Sequence, residues 1–181
     1  MNVLKINFYR TTILLLALVL TSCGSAKKTG DDLVSDAREE RAMIEREFPM
    51  MAEYFNEAEG YAIFPNVGKG AYIIGGASGN GVVYDNGMMI GYADLKQVEI
   101  GLQLGGKAFV EVLFFETEEA LERFKNGSYE LSANASAVIL DEGFSENLEF
   151  EDGVAVITVP KGGAMAGISV GGQRFEFTPA Q

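Results

Sequence analysis

Histidine and tryptophan are absent from the 181 residues, cysteine occurs once, at Cys23, and proline only four times. Without histidine the commonest side-chain base near neutral pH is missing. Ser-His and Cys-His nucleophile pairs and the commonest metal ligand go with it. A lone cysteine excludes an intrachain disulfide, a redox thiol pair and a multi-cysteine zinc site. Positive charge is scarce too, with 14 Lys and Arg against 26 Asp and Glu. Such a field repels nucleic acid and anionic surfaces and favours solubility. No cofactor, no metal and no nucleic acid partner is expected, and no acid/base pair of an enzyme can be named.

What is present begins at the N-terminus. Lys5 and Arg10 precede an almost unbroken apolar run, Thr11 to Leu20 (TTILLLALVL), and small residues follow. That order is a secretory signal, and the run is too short to span a bilayer as a helix. Leu20-Thr21-Ser22-Cys23 resembles the bacterial lipobox. The resemblance implies cleavage before Cys23, a diacylglyceryl group on its sulfur and an acylated amine, so the chain meets the membrane through acyl chains. Each buried CH₂ adds about 0.8 kcal/mol, so several chains hold a protein there essentially permanently. Gly24 after the cysteine, by analogy with enteric lipoproteins, favours the outer membrane, facing the periplasm. Cleavage leaves 159 residues with 12 basic and 26 acidic side chains, a net charge of −14. That length suits one domain with its own core.

Residues 23–30 read as a small, polar tether. Apolar residues then recur at Leu33, Ala37, Ile44, Phe48, Met51 and Phe55, one stripe of a helix that Pro49 should break into two. Residues 31–60 hold ten acidic and three basic side chains, a solvated face rather than a membrane-surface helix. From Gly60 the period changes to two. Gln97 to Leu104 and Tyr129 to Ala137 (YELSANASA) alternate as half-buried strands. Further strands are expected over 61–64, 71–75, 81–84, 109–115, 154–159 and 166–170. Asp85-Asn86-Gly87, Gly105-Gly106 and Asp152-Gly153 read as hairpin turns, and Gly76 to Gly81 as a turn. Thr117 should cap a short helix that Gly127 ends.

The expected fold class is therefore α+β: a mainly antiparallel, open or barrel-like β-sheet packed with N-terminal helices and one further short helix. The expected division is a signal peptide over 1–22, the tether over 23–30 and a domain over 31–181. Within it, 31–58 is helical and 60–178 is glycine-rich sheet. Gly101 to Lys107 matches GxxxxGK, yet Ala108 replaces the Ser/Thr that would hold Mg²⁺ and a strand, not a helix, follows. Nucleotide binding is not expected.

Three ordered stretches carry a resemblance: Gly60-Tyr-Ala-Ile-Phe-Pro65 through Lys69 to Gly81, Ile90-Gly-Tyr-Ala through Gly105, and Val159-Pro-Lys161-Gly-Gly through Gly172. Together they resemble the SYLF-domain family over roughly residues 40 to 175, nearly the whole mature chain. The resemblance implies a lipid-binding module; eukaryotic members bind phosphoinositides and actin, and many bacterial members are exported lipoproteins. It is not a family of enzymes. Here residues 31–60 are acidic where lipid-binding eukaryotic members are basic, and Ile157 to Gly163 stands in place of the aromatic-Ser-Arg-Ser-Lys-Gly-Leu stretch. Carried over residue by residue, the resemblance offers Lys69 and Lys161 as head-group contacts; the aromatic and Met neighbours Tyr72, Phe64 and Met165 are expected to supply apolar walls. The reading of function is a non-catalytic lipid or amphiphile binding module in the cell envelope. Its alternative is a structural envelope protein that docks a protein partner.

Overall fold

The computed structural model describes residues 30–70, 74–100, 107–132, 135, 137–141, 144–161 and 170–180. The expected signal peptide and Cys23 lie outside them. The apolar stripe forms α1 (Asp31–Glu47), which buries Leu33, Ala37 and Ile44 and carries Asp31 and Asp32 in its first turn, at the positive end of the helix. The Phe48 N–H caps Ile44 O at 2.8 Å. Pro49 then ends the run and the chain re-enters helix as α2 (Met51–Glu57), burying Met51 and Phe55. A third helix, α3 (Glu118–Lys125), is capped by Thr117, whose hydroxyl accepts from Ala120 N at 3.2 Å. No helix among the described residues is long and apolar enough to cross a membrane.

The strands are β1 (Gly60–Gly70), β2 (Ile74–Asp85), β3 (Met88–Ile100), β4 (Lys107–Phe115), β5 (Ser128–Glu130), β6 (Val138–Ile139), β7 (Val154–Lys161) and β8 (Arg174–Pro179). They make one eight-stranded sheet in the order β5-β8-β3-β2-β1-β4-β7-β6, antiparallel except where β6 meets β7. The fold is thus α+β, and the sheet is a strongly curled half-barrel.

The direction of curl follows from two contacts. Phe64 of β1 and Phe175 of β8 have ring centroids 5.5 Å apart, and Gln173, just before β8, bonds Glu111 of β4 at 3.0 Å. In a flat sheet strands four places apart would be separated by about 19 Å. The face bearing these residues is therefore concave. Its core joins Phe64, Phe109, Leu113, Phe115 and Phe175 to Leu121 and Phe124 of α3. The convex face carries Tyr61, Ile63, Val112, Phe114 and Ile157, covered by α1 and α2. Arg41 fastens α1 there: it donates to Glu45 Oε1 and to the Tyr61 hydroxyl, each at 2.7 Å, and lies 4.9 Å from the centroid of the Phe55 ring.

Several expectations need correction. The strand expected to stop at Phe64 continues to Gly70. Pro65 cannot donate to a ladder, and the register shifts on both sides of it, between Ile63 and Gly68 and between Phe64 and Val67. Gly76 to Gly81 is not a turn but the middle of β2, paired with β3 from Gly76↔Val98 to Gly81↔Ala93. Of the described residues of YELSANASA, only Tyr129 and Glu130 are strand, within β5. Gly105-Gly106 lies outside the described residues; β3 and β4 are separated in the sheet by β2 and β1, so these two strands do not form a hairpin. Lys107 opens β4 rather than a helix, which removes the context a phosphate loop needs. Residues 71–73, 101–104 and 166–169 of the expected strands lie outside the described residues. Asn86 (φ 46°) with Gly87, and Asp152 (φ 52°) with Gly153, form the expected tight turns.

Candidate functional site

The topology brings two of the expected ligand contacts to one end of the sheet. Lys69 of β1 pairs in register with Lys107 of β4, and Lys161 of β7 pairs with Ala108. Lys69 and Lys161 therefore sit on the two strands flanking β4. The ammonium of Lys161 lies 2.5 Å from Glu40 Oε1 of α1, on the helix-covered face. Phe64 is fully buried core. Tyr72 and Met165 lie outside the described residues.

A sizeable cavity lies elsewhere, and no continuous motif announced it. A cleft of about 1130 Å³ opens between the N-terminal end of α3, residues 129–138 and residues 146–154. Its floor is apolar: Val154 and Val156 of β7, with Leu131 and Ala137 beside them. Its rim is acidic, with seven carboxylates against one guanidinium, Arg123. That guanidinium is already engaged, 3.4 Å from Glu119 Oε1 and donating to the Asp152 carbonyl. Tyr129 forms one wall. Burial pushes its phenol pKa up, Arg123 pulls it down, and Asp152 and Glu151 add to the rise.

A second cleft of about 440 Å³ shares Glu116, Asn147 and Phe150 with the first and adds Met50, Tyr54, Glu53 and Glu57 from the α2 region. Tyr54 holds the intervening segment by accepting from Leu148 N at 3.0 Å. Val154 and Val156 belong to the concave core, whereas Tyr54 and Phe150 pack against the convex one. The two clefts thus make a trough that bends round the β6–β7 edge of the sheet, with Phe150 at the bend.

A trough of this kind can hold an elongated apolar body and charge-pair its polar groups at the rim. Among the described residues no group of three or more carboxylates is placed to hold a metal ion. The signal for it in the sequence was acidic density: six of the twelve residues from Asp141 to Asp152 are Asp or Glu.

A third feature lies inside the half-barrel. Gln97, Glu111, Thr158 and Gln173 are buried polar side chains on the concave side. Glu111 and Thr158 are cross-strand partners, Gln173 donates to Glu111, and Gln97 donates to Gly171 O at 3.0 Å. These bonds tie the segment before β8 to its neighbour β3 and, across the half-barrel, to β4. Comparison with known proteins adds no identity to this geometry: no family model matches the chain, and no curated protein is significantly similar to it.

Proposed function

We propose that the chain is an exported, SYLF-like lipoprotein of the bacterial envelope, anchored through acyl chains on Cys23. In this reading its folded part is a non-catalytic binding module for a lipid or another amphiphile. The observation that carries it is the trough, which sets an apolar floor beside a charged rim in a cavity large enough for an extended ligand. The lipobox and the three resembling stretches support the same reading. The lysines remain a separable part of it. An anionic head group at the sheet end, bound by Lys69 and Lys161 with Tyr72, would have to displace Glu40 from Lys161.

Two experiments test the reading. Cys23→Ser should stop incorporation of labelled palmitate and release the protein from the membrane fraction; continued labelling and sedimentation would overturn the anchor. Organic extraction of the released Cys23→Ser protein, followed by mass spectrometry, should recover a co-purifying amphiphile. A clean extract, together with no flotation on neutral or acidic liposomes, would replace amphiphile binding by docking of a protein partner.

A further inference from the structure

We infer that the trough selects a cationic, amphipathic ligand, and specifically an extended basic peptide segment with apolar side chains. The inference rests on the trough as the binding site and adds the charge class and shape of its occupant. Charge complementarity is the main ground. An anionic or zwitterionic head group placed at the rim would meet seven carboxylates and one guanidinium that Glu119 and Asp152 already occupy. A Lys or Arg side chain meets an unbalanced field of the opposite sign, one focused by the low-dielectric floor. Shape is the second ground. At about 1130 Å³ the first cleft alone exceeds the roughly 300–1,000 Å³ usual for small-molecule pockets, and it continues past Phe150 into the second. A chain with alternate apolar and basic side chains fills such a space: one set faces Val154, Val156 and Leu131, the other reaches Glu146 and Glu149 at the rim. Tyr129 and Phe150, both half-buried, are the aromatic anchors.

The test uses the full chain in phosphatidylcholine nanodiscs, with empty nanodiscs as the blank. The probe is a fluorescein-labelled ten-residue peptide of alternating Lys and Leu, read by anisotropy. It should bind saturably, and raising ionic strength from about 0.02 to 0.3 M should weaken it several-fold, because exposed charges lose most of their reach. Decalysine and alternating Glu-Leu peptides should bind at least about tenfold more weakly, since one lacks apolar contact and the other carries the wrong sign. Glu146→Lys/Glu149→Lys, both at exposed positions, should cost about tenfold or more at an unchanged melting temperature. If that variant folds poorly, Glu146→Gln/Glu149→Gln should show a smaller loss in the same direction. No binding by the Lys-Leu peptide, equal binding by decalysine or Glu-Leu, or wild-type affinity in the variants would each overturn the inference. Lysophosphatidylcholine separates the two proposals. If it binds where the Lys-Leu peptide does not, amphiphile binding stands and the cationic selection falls; if neither binds, both fall.

Discussion

Gln173 donates its side-chain N–H to Glu111 at 3.0 Å, a bond between two fully buried residues, one just before β8 and one in β4, strands that stand four places apart in the sheet. It is a staple across the concave opening. Nothing local in either segment encodes it, since the two residues are 62 positions apart.

Removing that donor should be costly. Gln173→Ala strips a buried carboxylate of one hydrogen bond and should lower unfolding stability by about 1–3 kcal/mol. Arg174→Ala, which breaks an exposed ion pair to Glu130, should cost about 0–1 kcal/mol. Urea titration of both variants checks this. Equal midpoints would mean that the staple contributes no more than a surface pair.

Gly81 lies under the Phe64 ring. A Cβ there would come within 2.6 Å of Phe64 Cδ1 and 2.9 Å of Ile63 O. Gly81→Ala should therefore destabilise by about 1–3 kcal/mol through overpacking. Gly68→Ala, where nothing lies within 4 Å of the added atom, should change little. A thermal melt of each distinguishes crowding from any general intolerance of β1 and β2 to alanine.

The local grammar of the chain was legible, and the long-range pairing was not. Leu33, Ala37, Ile44, Met51 and Phe55 stand where the helical period puts them, because one-sided burial leaves a 3.6-residue trace. YELSANASA shows the limit. Tyr129, Leu131, Ala135 and Ala137 do pack on the concave core, but among the described residues of the stretch only Tyr129 and Glu130 pair with a strand. Leu131 N bonds Gln173 O instead. Alternation records which side chains face the core; it does not record whether the backbone has a neighbour. The trough escaped for a related reason: the lining of its main cleft is assembled from separate helix, strand and loop stretches between Glu116 and Val156, which no single period or motif links.

Lys161 and Glu40 join the end of β7 to α1, with side chains 36% and 19% exposed. A double-mutant cycle of Lys161→Ala and Glu40→Ala should give a coupling of about 0.2–1 kcal/mol that shrinks at high salt. If Lys161→Ala alone also weakens flotation on acidic liposomes while Glu40→Ala strengthens it, the lysine serves the head group in competition with the helix. Unchanged flotation in both would confine Lys161 to the ion pair.

Alkaline stability should fall in a defined window. Burial raises the phenol pKa of Tyr61, Tyr84 and Tyr129 above the ordinary 10.0, and nearby arginines oppose the rise without cancelling it. In the unfolded chain these groups ionise near 10.0, while the folded protein still holds their protons. The stability they supply is complete below that pH and is lost as pH climbs through the folded values. The melting temperature should thus drop as pH rises above 10. Tyr129→Phe, which removes one of the three, should make that drop shallower, and an unchanged slope would contradict the assignment.

The sheet order has a consequence for chains that are made or cut short. β2 and β1 lie at its centre, and both flanks are completed by C-terminal segments: β8 with β5 on one side, β7 with β6 on the other. The outermost strands have only three and two residues, so each edge of the sheet ends on a very short strand. A chain ending before Arg174 keeps β3, thirteen residues long, with one whole edge open. Until its last strand is in place, this protein is a template for its own aggregation.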